Sequence, residues 1–303
     1  ITSASSPTDR STRPRASMAT RADPDADMTS SRLFPILLVA PALTIVALLF
    51  VYPLVYSIAT AFQDRGGAWT VANFVTAWSF YARDIGFTAA IVLLSTALVG
   101  IVAVVIGGYL VLGTTRWAVA ALAWLYRWPL FVPFIIAAQC MRTFLAKNGM
   151  MNNSLIAAGL MPPEAAQGLL DWRGIVITFV WKQAPFATLM VAGAMAALDR
   201  STIDAARNLG ASRLRILMEI IVPQVRPTLM VALILSCVTM MSVLSVPLML
   251  SGQSPTMMTV QMAYRINQHG DYGVANALGL ISYLMTAVVA WIYLRETMRE
   301  RAA

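Results

Sequence analysis

Six long apolar runs, nearly free of charge, constrain this chain more than any other feature. They fall at about residues 33–62, 85–112, 128–145, 174–198, 228–250 and 272–294. About 20 apolar residues in helical form cross the roughly 30 Å hydrocarbon core of a bilayer. Inside that core a backbone must satisfy its own hydrogen bonds, so the runs read as helices. Composition agrees, with 58% hydrophobic residues, 12% charged and a mean hydropathy of +0.69. A soluble protein carries about 25% charged residues. Half of that cannot cover a water-facing surface on a chain of 303 residues. The expected fold class is therefore an all-α integral membrane protein with six transmembrane helices.

The charges that remain sit at the ends of the runs. The net charge is +8, carried by arginines with only two lysines, Lys147 and Lys182. That placement is a topology signal, and nucleic acid is not the expected partner. With the N-terminus inside, the inner side holds fifteen arginines and the outer side five basic residues: Arg65, Arg83, Lys147, Arg173 and Arg265. Cytoplasmic loops carry the excess of positive charge, so both termini are expected in the cytoplasm. Residues 1–31 are rich in Ser, Thr, Arg, Asp and Pro and lack the apolar core of a signal peptide. They read as a disordered cytoplasmic tail, residues 32–296 as the membrane domain, and residues 297–303 as a short inner tail.

One inner loop differs from the rest. Residues 199–227, DRSTIDAARNLGASRLRILMEIIVPQVRP, are dense in charge without being Gly- or Ser-rich. Ser201 can cap a helix over 202–209, with Asp204 three residues on as an acidic variant of the capping box. Gly210 stands where a helix end favours a left-handed residue. Ser212 can cap a second helix, 213–222, which Pro223 ends. Pro227 then falls in the first turn of the fifth span. Two short helices meeting at a right-angle turn are expected. Ala205 and Ala206 offer a small, flat surface beside an apolar ridge of Leu209, Leu214, Ile216 and Leu217. Arg207, Arg213 and Arg215 rim that surface. It suits a partner's groove and, equally, anionic lipid headgroups.

The spacing in this loop carries a family resemblance. Asp204-Ala205-Ala206, three residues, Gly210, nine residues, Ile220, one residue and Val222-Pro223 resembles the EAA motif of permease subunits in binding-protein-dependent ABC importers. Asp204 replaces the motif's Glu and Val222 its Leu. Trp181 through Phe186, with Pro185, resembles a stretch of the span before that loop. Asn148 to Gly159, with Asn152, resembles an outer segment of the same family. The phrase Leu209-Gly210-Ala211-Ser212 is nearer the branch for polyamines, opines, phosphonates, iron or thiamine than the sugar importers. The resemblance implies two permease subunits, two cytoplasmic ATPases using ATP-Mg, and an extracytoplasmic substrate-binding protein, with no cofactor on this chain. Asp204, Ala205, Ala206, Arg207, Gly210, Ala211, Arg213, Ile220 and Pro223 are then the ATPase-coupling residues.

Other residues point outside that loop. Lys182 lies within the fourth span, where a charge is costly and reads first as functional. It can line a solute path with the helix-bending Pro185, pair with a carboxylate across a subunit interface, or snorkel outward. His269, the only histidine, and Asn152 are the outer candidates for contact with a binding protein. Cys140 and Cys237 read as small core hydrophobes. One histidine and two separated cysteines build neither a metal site nor a Cys–His pair. A phosphate-binding Gly-x4-Gly-Lys-Ser/Thr loop is also missing. The chain is not expected to be an enzyme. A secondary transporter or channel subunit that uses no ATP is the alternative, although no internal repeat supports it.

Overall fold

The computed structural model describes residues 38–251 and 254–302. The expected tail 1–31 lies outside these residues. The chain divides into two units, one ending at Val55 and the other starting at Tyr56. Among the described residues there are helices and one isolated bridge between Gln63 and Trp69, with no strand.

Helix α1 spans Leu38–Ala61 and exposes apolar side chains such as Leu43, Leu48, Phe50 and Val55. Helix α2, Ala72–Leu112, is 41 residues long and begins 13 residues before the expected second span. Asn73 fastens its start, donating to the carbonyls of Ala61 and Gln63. Then come α3, Arg116–Leu125, a 3-10 turn at Trp128–Phe131, α4, Phe134–Leu145, and α5, Met150–Ala157. Helix α6 runs Trp172–Ala196 and α7 Arg200–Asn208. Helix α8, Arg213–Ser242, is followed by α9, Ser245–Leu250, α10, Met258–His269, and α11, Tyr272–Ala302.

Five of these helices, α1, α2, α6, α8 and α11, are long and apolar enough to cross a membrane, and the count reaches six if a bent pair is one span. That pair, Arg116–Phe131 and Phe134–Ala157, bends by 108°. The third span is therefore broken, not straight, and the cause is local. Pro133 has no N–H to offer the Pro129 carbonyl four residues back. That carbonyl instead accepts the Val132 N–H at 3.3 Å and the Lys182 ammonium at 2.6 Å, and the ammonium also reaches the Leu130 carbonyl at 3.4 Å.

Helix α2 packs most extensively on α6. Ala103, Ala187 and Ala232, all fully buried, bring α2, α6 and α8 together. Small residues of this kind let membrane helices approach closely. A larger cluster around Phe179, Met240, Val246, Met258 and Leu278 joins α6, α8, α9, α10 and α11. Helix α2 also caps α10. The Asp84 carboxylate accepts the Thr256 N–H at 2.7 Å and the Gln261 amide at 3.2 Å, and the Thr88 hydroxyl accepts the Met258 N–H. The last of these bonds satisfies a donor that the helix start leaves open, and the other two fasten the approach to it and its first turn.

Candidate functional site

The segment from Asp199 to Val225 holds all the residues expected to couple to an ATPase. Helix α7 starts at an Asp199 cap, not at Ser201. The Asp199 carboxylate accepts the Ser201 N–H at 2.9 Å and the Ser201 hydroxyl. These bonds, the side-chain one foremost, hold its pKa below the usual carboxylate range. Asp204 makes no reciprocal cap. It pairs with Arg207 at 3.5 Å, one turn on and on an exposed surface.

The end of α7 follows the sequence reading. Gly210 has φ +81°, the left-handed conformation. The Gly210 N–H reaches the Arg207 carbonyl at 2.9 Å and the Ala211 N–H reaches that of Ala206 at 3.0 Å. This pair of bonds is a Schellman closure. Ser212 then caps α8, accepting the Arg215 N–H at 3.3 Å.

The second expected helix does not stop at Pro223. It continues into the fifth span as α8. A π-turn over Ile216–Ile221 makes this possible, with the Val222 N–H reaching back five residues to the Leu217 carbonyl. The wider turn makes room for a ring that would clash with an ordinary α-turn. The Gln224 side chain also takes up the Ile220 carbonyl at 2.9 Å.

The apolar ridge splits between two faces. Ile203, Ile216, Leu217, Ile221 and Val225 are buried with Leu112, Val191 and Met195, at the ends of α2 and α6. Ala206, Ala211 and Ile220 pack against this cluster. Leu209 and Leu214 face outward, 89% and 69% exposed. Asp204, Ala205, Arg207, Gly210, Arg213 and Pro223 are exposed with them. Gly108 lets α2 approach the π-turn, since a Cβ there would lie 2.7 Å from a Leu217 methyl. The result is a short helix rooted by one face, with small and apolar side chains and arginines on the other.

The remaining candidates do not join this surface. Lys182 is buried, tied to the broken third span and set 5.0 Å from the Phe134 ring. It does not snorkel, and among the described residues of this chain it meets no carboxylate. Pro185 is buried within an unbroken α6. Asn152 is 3% exposed, and its amide donates to the carbonyls of Lys147 at 2.8 Å and Gln167 at 2.9 Å. Its side chain is turned inward to brace its own loop, so the outward contact read from sequence does not fit it. His269 closes α10, exposed and edge-on to Tyr264 at 5.2 Å. The nearby Asp271 pairs with Arg265 instead, at 3.4 Å. Among the described residues no group of three His, Cys, Asp or Glu side chains could hold a metal.

Helices of membrane length and an exposed two-helix loop define a polytopic membrane protein. The chain belongs to the binding-protein-dependent transport system inner membrane component family, whose model matches residues 130–295. It is the permease subunit of an ABC importer, a multi-pass inner-membrane component that is not itself catalytic. It is 27% identical over 87% of its length to the sulfoquinovosyl glycerol transport system permease SmoG of Agrobacterium fabrum, covering 90% of that protein. It is 25% identical to the alpha-glucoside transport system permease AglF of Rhizobium meliloti, over 88% of this chain and 83% of that protein. With the spermidine/putrescine permease PotB of Haemophilus influenzae the match is 25% over 55% of this chain and 58% of that one. In fold it is similar to a bacterial alginate ABC transporter solved with a periplasmic protein bound to an alginate pentasaccharide. The TM-score is 0.75 at 20% identity, covering 90% of this chain and 96% of the other.

Proposed function

We propose that this permease imports a sugar or sugar-containing solute, and that the α7–Gly210–α8 segment receives the force of a cytoplasmic ATPase. The observation that carries the coupling role is the two-sided build of α7. Ile203 roots it in the cluster at the ends of α2 and α6, while Asp204, Ala205 and Leu209 stay exposed for a partner's groove. A load on the exposed face is passed to two spans through packed side chains, because a close-packed cluster does not deform continuously. Two ATPases using ATP-Mg, a second permease and an extracytoplasmic binding protein complete the expected assembly. This chain itself binds no cofactor. The excess of arginine at the loop 199–227 end supports a cytoplasmic position for that end.

The sugar assignment rests on the relatives matched over most of their length, whose names specify sulfoquinovosyl glycerol and alpha-glucoside transport. It replaces the polyamine-type cargo suggested by Leu209-Gly210-Ala211-Ser212, a phrase of four residues at a helix end remote from any solute.

The test is purification from the native membrane in mild detergent, followed by reconstitution. A co-purifying ATPase and ATP-dependent sugar uptake are expected. The Gly210→Val variant should keep the ATPase but lose most uptake. A β-branched residue at φ +81° strains the backbone by about 1–2 kcal/mol, and an added Cβ has no atom within 4 Å. Gly210→Asn, which tolerates that conformation, should retain uptake. Uptake driven by an ion gradient with no ATPase present would refute the reading.

A further inference from the structure

At the far end of α6 from the coupling segment, roughly 37 Å away along the helix, lies a cavity of 600 Å³. This falls within the roughly 300–1,000 Å³ of small-molecule sites. Phe87 of α2, Arg142 of α4, Asp171 and Trp172 at the start of α6, and Ser254 line it. Its charges are unequal in kind. Asp171 is already engaged: it caps α6 through the Arg173 N–H at 2.8 Å and takes the Arg173 guanidinium on both carboxylate oxygens. The guanidinium bond, more than any other influence, holds the Asp171 carboxyl below its ordinary pKa. Arg142, an exposed residue, has no hydrogen bond or ion pair with any described residue and lines the open space. Once Asp171 and Arg173 neutralise each other, the cavity keeps one uncompensated positive charge.

We propose that this cavity is a binding station for an anionic sugar, with Arg142 taking its carboxylate or sulfonate and the Trp172 and Phe87 rings covering its apolar face. The proposal rests on the sugar-importer reading above. A guanidinium offers paired N–H donors matched to two oxygens of such a group. An aromatic ring supplies flat apolar surface for the C–H side of a pyranose, and Ser254 adds a hydroxyl for the ring's own hydroxyls. A neutral sugar would leave Arg142 without a counter-charge. A bare inorganic anion would leave the two rings unused.

The test is equilibrium binding of radiolabelled D-glucuronate to the purified importer complex, with D-glucose and sulfate as competitors. Glucuronate should bind saturably. Arg142→Gln should weaken it about tenfold or more, and Arg142→Lys, which keeps the charge but not the fork, by less. Trp172→Leu should weaken glucuronate without changing any weak binding of sulfate. Trp172 is 48% exposed, so this truncation opens no core void. Thermal midpoints check that each variant is folded. Absence of glucuronate binding, equal binding to Arg142→Gln, or sulfate displacing glucuronate as well as glucuronate itself would overturn the proposal. If ATP-dependent uptake of a neutral sugar persists in that event, only the station fails. If no ATPase accompanies the chain, the importer reading fails with it.

Discussion

Two pairs of prolines meet opposite fates in this molecule. Pro129 and Pro133 break the third span by 108°. Pro223 and Pro227 lie within a helix that runs unbroken from Arg213 to Ser242. The ring and the missing N–H are the same in both places, so the difference lies in what the surroundings offer the freed carbonyls. At the break, an ammonium from another helix takes the Pro129 carbonyl. In α8 a π-turn just before Pro223 shifts the hydrogen-bond register and the chain continues. Helix α1 repeats that solution, with the Tyr52 N–H reaching back five residues to Ala47 just before Pro53. At Pro133 the helix ends where an external donor takes the freed carbonyl, and at Pro53 and Pro223 it continues through a widened turn, whereas Pro185 and Pro227 sit inside ordinary α-helix.

The strongest way to break this comparison is to remove the external donor. Lys182→Met should destabilise the folded complex by about 1.5–3 kcal/mol, because a charged hydrogen bond is lost and the Pro129 carbonyl keeps only the Val132 N–H at 3.3 Å. Thermal unfolding in detergent reads the loss. Adding Pro133→Ala restores an N–H that can reach the Pro129 carbonyl, so the double variant should recover part of it. Equal stability of Lys182→Met and the parent would show that the break needs no ammonium.

The second test concerns what keeps α8 in place as it widens. Gly108→Ala puts a methyl 2.7 Å from the Leu217 side chain, within the buried cluster. Overpacking of this sort costs about 1–3 kcal/mol. Leu217→Ala in the same molecule should relieve the clash while opening a cavity of its own, so the two changes should be less than additive in unfolding measurements. Additive losses would mean that α2 and the π-turn are not in firm contact.

A third change asks whether proline or packing imposes the π-turn. Pro223→Ala returns an N–H to the Glu219 carbonyl and permits an ordinary α-turn. Removing the extra residue of the π-turn would rotate the start of α8 by about 100°. That would carry Ile216 and Leu217 out of their cluster, so packing should hold the π-turn. Stability should change by less than about 1 kcal/mol, and the distance between spin labels at Thr114 and Leu214 should stay as in the parent. A shifted distance would give the proline the larger share.

These contrasts also mark what the sequence could and could not disclose. Spans are legible because hydropathy is a local property summed over a long window. The Gly210 turn and the Ser212 cap are legible because each depends on neighbours a few residues away. The α8 continuation past Pro223 was not, since a π-turn is chosen by the burial of Ile216, Leu217 and Ile221 against α2 and α6. Lys182 could be flagged as a buried charge, but its partner lies 53 residues away, on a carbonyl that only the bend frees. The splitting of the ridge was hidden for a related reason: Leu214 and Leu217 are alike in sequence, and only the placement of α2 decides which is covered. Arg142 gives no local signal, because its lack of a partner is a property of three other helices. Asp199 was open to a closer reading, as it stands two residues before the N–H it accepts.

That cap supports the finest of the tests. Broken helices need new caps, and α7 gains one where α6 ends. The Asp199 carboxylate accepts best when ionised, and its pKa is lowered by the bonds to Ser201. The unfolded chain therefore binds this proton more readily than the folded one. The cap's contribution is fully present above the ordinary carboxylate range and declines as pH falls through the lowered pKa. Asp199→Asn keeps an accepting oxygen without a titrating group, so coupled uptake should be near the parent's at neutral pH and lose less on acidification. Asp199→Ala should be impaired at every pH. The comparison is made as a ratio of variant to parent uptake, which cancels the acid response of the rest of the complex. If Asn and Asp fall together with pH, the titration that matters lies elsewhere and α7 is held by Ile203 and its Schellman closure alone.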